Sequence, residues 1–162
     1  GMTMEGLAIA RAIHDRYHPS RRNPWNEVEC GDHYARAMAS YGVFLAACGY
    51  EYHGPQGHLA FAPRLTPENF RAPVTTAEGW GTFSQTRSGN VQTDSVEVRW
   101  GKLRLRSLAF APAENVQPQS VRVKVAGAEV AAKHETTNGR VRITLAAEVV
   151  LEPGQKIEVT IG

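Results

Sequence analysis

From Tyr50 to the C-terminus apolar side chains recur at every second position, and this period of two limits the fold more than any other feature of the chain. Val96, Val98 and Trp100 alternate with Glu97 and Arg99, Leu103 and Leu105 with Arg104 and Arg106, and Val121, Val123 and Val125 with Arg122 and Lys124. Val141, Ile143 and Leu145 share one face of a later segment, and Ile157, Val159 and Ile161 share one face of the last. Successive side chains of a strand point to opposite sides, so each segment has one apolar and one polar face. Gly54-Pro55-Gln56-Gly57, Ser88-Gly89-Asn90, Asn138-Gly139 and Pro153-Gly154 separate the segments as turns. Pro63 to Thr76, with prolines at 63, 67 and 73, reads as a surface loop. Many short half-buried strands imply antiparallel sheets, and residues 51–162 read as a β-sandwich or barrel-like domain.

Residues 1–50 have a different period. Leu7, Ala10, Ile13 and Tyr17 fall on one stripe of a helix from Met4 to Tyr17, with Thr3 as its cap and Pro19 beyond its end. A second helix runs from an Asp32 cap to Cys48, with Gly49 as C-terminal cap. Beyond Arg36 it is apolar on nearly every side, and such a helix expects burial on every side. The downstream sheet, a second copy of the chain or a missing domain could supply that cover. Left exposed, it would drive self-association, so a homo-oligomer through the apolar helix is expected. The fold class expected is therefore α+β, a helical hairpin packed on an antiparallel β unit.

Charge excludes some partners. Eighteen basic and 16 acidic residues leave a net charge of +2, too small a field to draw the chain to nucleic acid. The arginines on the outward strand positions read as a solvated sheet surface without interleaved aromatic platforms. The apolar run from Ala37 to Cys48 is shorter than the roughly 20 residues a bilayer requires, and Met4–Tyr17 is too charged for a secretion signal. No membrane association and a cytoplasmic location are expected. Cys30 and Cys48 flank a helix of about 16 residues that rises about 24 Å, whereas bridged Cα atoms lie within about 7 Å, so both thiols are expected to be free.

Chemistry concentrates between Arg21 and Arg36, where Trp25, Glu27, Glu29, Cys30, Asp32, His33 and Tyr34 precede the apolar helix. One reading is a self-satisfied helix start, with Asp32 and Arg36 paired at i, i+4 and the glutamates near a favourable helix N-terminus. A metal site has the ligand types but no recognised zinc spacing, so no metal and no cofactor are assigned. Glu27 and Glu29 do not form a glycosidase acid and nucleophile, because neighbours on one strand cannot flank a sugar bond from opposite directions. No catalytic residue is assigned.

The segment Asn23-Pro24-Trp25-Asn26-Glu27-Val28-Glu29-Cys30-Gly31-Asp32-His33-Tyr34-Ala35-Arg36-Ala37-Met38-Ala39-Ser40 resembles the C-terminal end of the catalytic domain of glycoside hydrolase family 116. These β-glucosidases include the non-lysosomal glucosylceramidases, and the resemblance covers roughly residues 5–85. It implies that the helical hairpin is the end of an (α/α)6 barrel. It also implies that Glu27 and Arg36, nine positions apart, hydrogen-bond the outer hydroxyls of a glucose. Glu29 is the alternative carboxylate, because Val28-Glu29-Cys30 departs from the wording of the animal and plant members. A carboxylate accepting from vicinal hydroxyls beside a guanidinium fork suits that role. Trp25 or Tyr34 would wall the ring. The family's nucleophile and general acid lie upstream of any segment here, so the resemblance implies a glucoside-binding part of a hydrolase that is inactive alone. The rival expectation is a non-catalytic carbohydrate-binding or assembly module. Its candidate contacts are Trp80, Phe83 and Trp100, although inward-facing core positions are expected for all three.

Overall fold

The computed structural model describes residues 2–17, 20, 34–114 and 116–162, without the side chains of 34–37. Two units partition the chain, Gly1–Ala47 and Cys48–Gly162.

In the first unit, α1 spans Thr3–His14, so Thr3 begins the helix and Met2 precedes it without a side-chain cap bond. Glu5 lies in the first turn and Arg11 and His14 in the last, each sign matching the helix dipole. The Arg11 Nε donates to Asp15 Oδ1 at 2.7 Å. The helix stops short of Tyr17 because its final turn tightens, with Arg16 N donating to Ile13 O and Tyr17 N to His14 O. The second helix, α2, spans Tyr34–Cys48. Gly49 follows with φ +56°, the left-handed residue that ends a helix.

Two expectations fail here. The chain is mostly β with two short helices, not an α+β arrangement in which a hairpin closing an (α/α)6 barrel packs on a sheet domain. Nor, among the described residues, is there an apolar helix able to carry a homo-oligomer. The reason lies in side-chain size. Between 38 and 47, Ala39, Ser40, Gly42, Ala46 and Ala47 offer little area, and 15 residues extend only about 23 Å. A stable interface needs about 800 Å² from each partner.

The second unit holds eleven strands: β1 Glu51–His53, β2 His58–Phe61, β3 Asn69–Thr75, β4 Gly79–Ser88, β5 Val91–Gly101, β6 Leu103–Phe110, β7 Val121–Val125, β8 Ala128–Val130, β9 Ala132–Thr137, β10 Arg140–Leu151 and β11 Lys156–Ile161. One sheet has the order β1-β2-β6-β10-β9 and the other β3-β4-β5-β11-β7-β8. They are two open sheets, so the unit is a sandwich rather than a barrel. All neighbours run antiparallel except β2 and β6, which pair in parallel because β3, β4 and β5 carry the chain through the other sheet between them. The expected loop from Pro63 to Thr76 in fact contains β3. Pro73 fits because β3 is an edge strand, where a missing N–H costs no ladder bond. The turns lie where the sequence placed them, and Asn138 and Gly139 both take positive φ, as a tight hairpin requires.

The core lies between the sheets. Phe61 of β2 stacks on Phe83 of β4 at 3.8 Å between ring centroids, and Phe110 of β6 follows at 6.0 Å. Leu59, Leu105, Leu108 and Ile143 come from one sheet, and Val96, Ile157, Val159 and Ile161 from the other, all fully buried. Each such side chain stabilises the fold by about 1.5–3 kcal/mol relative to exposure. On the outer faces Arg106 pairs with Glu148 at 2.8 Å, Arg140 with Glu51 at 2.6 Å and Arg99 with Glu97 at 3.3 Å. These exposed pairs mix the signs across the surface and add little stability.

A tryptophan-lined cleft as candidate functional site

Of the residues singled out in the sequence, Trp25, Glu27 and Glu29 lie outside the described residues, as do Cys30, Asp32 and His33. Arg36 falls in the opening turns of α2. The glucose-contact assignment for these residues remains an expectation. Cys48 is free and buried, and burial pushes its thiol pKa up, which keeps it protonated and inert. Among the described residues no group of three or more His, Cys, Asp and Glu is placed to hold a metal ion.

The structure instead brings together Trp80 and Trp100. They are direct cross-strand partners on β4 and β5, 53% and 63% exposed, whereas Phe83 is fully buried. Trp80 faces out by simple alternation with Gly81 and Phe83. Trp100 does not, because Val96 and Val98 point inward and the same period would carry Trp100 in with them. A bulge reverses it: Trp80 pairs with Trp100, but the next residue, Gly81, pairs with Val98, so β5 carries one extra residue, Arg99. Such a bulge re-aims the side chain that follows it.

Three glycines make this distortion possible. A Cβ on Gly81 would lie 1.9 Å from Glu97 O, and one on Gly79 would lie 2.5 Å from Trp100 O. Gly101, at φ +72°, would place a Cβ 2.1 Å from Glu78 O. Backbones therefore touch beneath the indole pair, and any side chain there would force the strands apart.

The turn from β3 into β4 makes the second wall. Thr76 N and Oγ1 both donate to Gly79 O, at 2.9 and 2.8 Å, and Lys102 N donates to Glu78 O at 3.0 Å. Tyr50 Oη donates to Thr75 O at 2.5 Å, tying the end of β3 to the start of the sandwich unit. Residues 75–80 with Trp100 line a shallow, open surface concavity of about 300 Å³, at the lower end of the range for small-molecule sites.

Glu78 is the one carboxylate in that lining. Arg104 reaches its Oε2 with Nη2 at 2.6 Å and Nε at 2.9 Å, and Lys102 Nζ stands 3.3 Å from Oε1. The Arg104 hydrogen bond, reinforced by Lys102, holds the Glu78 carboxyl below the usual carboxylate range. The site thus offers two apolar ring faces beside a fixed anionic acceptor. Hydrolysis of a glycoside requires two carboxyls about 5–9 Å apart, and a lining with one does not supply them.

Sequence reasoning named Trp80 and Trp100 but expected both to be inside. The signal that could have moved them is the pattern Gly79-Trp80-Gly81 facing Trp100-Gly101, since isolated glycines within strand patterns mark bulges and close backbone approach.

No protein-family model matches the chain, and no curated protein matches it. Among solved structures it is similar to the α-L-rhamnosidase from Dictyoglumus thermophilum, with a TM-score of 0.42 and 11% sequence identity. The overlap covers 81% of this chain and 14% of that one, so the chain spans about one seventh of that enzyme's length.

Proposed function

We propose that the β-sandwich is a non-catalytic carbohydrate-binding unit whose site is the cleft between Trp80 and Trp100. The observation that carries this reading is the outward-turned indole pair, two large apolar side chains half exposed over a glycine-built bulge. Exposing both rings forfeits the burial energy they would gain in the core. Sugar rings present C–H faces that pack on indoles, and their hydroxyls match an ionised carboxylate at the rim. Calorimetric titration with glucose and cello-oligosaccharides tests it. Binding heat is expected from the wild type and from Glu27→Ala, with at least about tenfold weaker affinity in Trp80→Ala and Trp100→Ala, a loss of about 1.4 kcal/mol or more. Heat that survives loss of both tryptophans would contradict the assignment.

The motif at 23–40 supports a second, compatible reading, in which the chain is part of a β-glucosidase-like glycoside hydrolase and Glu27, or Glu29, with Arg36 contacts a glucose. On that reading the chain by itself does not hydrolyse an aryl β-glucoside. Turnover that persists in a Glu27→Ala, Arg36→Ala double variant would rule it out.

A further inference from the structure

We infer that the Trp80–Trp100 cleft prefers acidic sugars, with a pyranose ring packed on the indoles and the ligand's carboxylate met by Lys102 Nζ. This rests on the sugar-binding reading above and narrows it to uronic acids.

The charges around the cleft carry the narrowing. Two nearby ion pairs are balanced, Arg99 with Glu97 and Arg106 with Glu148. The third group is not, because Glu78 in the lining faces both Arg104 and Lys102, and the three together keep one positive charge. The two cations are held unequally. Arg104 brings Nη2 to 2.6 Å and Nε to 2.9 Å from one oxygen, Oε2, which ties the guanidinium to Glu78. Lys102 Nζ stands 3.3 Å from Oε1, longer than the roughly 2.7–2.9 Å of a tight charge-assisted hydrogen bond. Glu78 opposes a ligand anion, but Arg104 already neutralises it, so the charge of Lys102 is in excess. An ammonium has three donors, and the Lys102 side chain is about half exposed, so a second carboxylate finds N–H groups open there. The backbone fixes Lys102 beside the indoles. Its N donates to Glu78 O at 3.0 Å, and a Cβ on Gly79 would lie 2.8 Å from that same nitrogen. The open concavity leaves the ammonium accessible to a sugar resting on Trp80 or Trp100. Arg104 is thus a positioning residue acting through Glu78, and Lys102 sets the specificity.

The test titrates digalacturonic acid and its methyl ester, which differ in charge but not in ring, calorimetrically into the full chain at pH 7, with cellobiose as reference. Wild type is expected to bind the acid about three- to fivefold more tightly than the ester at low salt, the scale of an exposed ion pair. Added salt should narrow that gap. Lys102→Gln is expected to close it and Lys102→Arg to keep it, while Trp80→Ala weakens acid and ester together. An ester bound as tightly as the acid, or a gap unchanged in Lys102→Gln, overturns the inference and leaves the sugar site standing, as does a chain that binds cellobiose but not the acid. Acid affinity untouched by Trp80→Ala is contact with charge alone and overturns the inference too. Binding of none of the three ligands overturns the sugar-binding reading itself. The wild-type comparison decides the matter even if a variant fails to fold.

Discussion

Trp80 and Trp100 reach the surface by different routes, and the difference is testable. Trp80 would face out on any regular strand, whereas Trp100 depends on the extra residue in β5. Gly81→Ala is expected to destabilise the sandwich by about 1–3 kcal/mol in urea unfolding, the usual cost of forcing atoms into a filled space. It should weaken sugar binding as well, because the strands must separate beneath the indoles. Thr82→Ala, one residue along on the same strand, lacks this clash and is expected to leave binding unchanged.

Asp94 shows a second consequence at this scale. It lies on β5, 1% exposed among Gln85, Gln92 and core residues, with Gln92 Nε2 donating to Oδ2 at 2.8 Å and Oδ1 without a partner. Burial raises its pKa from 3.8 to about 7, against the weaker opposing effects of Gln92 and Arg87. A neutral carboxyl is less costly than a carboxylate to leave half-satisfied. Because the folded pKa lies above the unfolded one, the contribution to stability is complete below pH 3.8 and is lost as pH rises through about 7. Melting temperature should therefore fall between pH 4.5 and 7.5 in the wild type. In Asp94→Asn the fall should be reduced, and an unchanged slope would show that Asp94 does not titrate there.

Among the elements, the strands were legible because alternation is a local signal, and the inward set Val96, Val98, Val141, Ile143, Ile157 and Ile161 is readable from spacing alone. Turns were legible for the same reason. What spacing does not carry is pairing. The parallel contact of β2 with β6 depends on where the chain returns after three strands in the opposite sheet. The strand character of 69–75 was hidden by Pro73, which is compatible with a strand only at an edge. Spacing alone places Trp100 inward, whereas a bulge shifts the period by one, and a bulge is a property of two strands together. Apolarity of α2 alone implies a demand for cover, but many of its side chains are too small to make a strong interface. The core is a clearer case. Phe83 lies between Phe61 and Phe110, so Phe83→Ala is expected to cost about 3–5 kcal/mol in chemical denaturation, from a cavity that rigid sheets cannot close. A loss below about 1 kcal/mol would mean that the two sheets do not meet at this ring stack.

At the level of the whole molecule, Gly1–Ala47 and Cys48–Gly162 carry separate readings: a motif resembling a hydrolase's sugar contacts in the first, and the indole cleft in the second. A chain trimmed to residues 48–162 is expected to keep its cooperative unfolding and its affinity for cellobiose, since every residue of the cleft and of its supporting ion pairs lies within it. The three tryptophans, Trp25, Trp80 and Trp100, divide between the two readings and give each its own reporter. The most direct measurement is a ¹H–¹⁵N titration of their indole N–H signals with cellobiose, assigned by single Trp→Phe variants. Saturable shifts of the Trp80 and Trp100 signals, with Trp25 unmoved, are expected; movement of Trp25 alone, or of none of the three, would contradict binding at the sandwich.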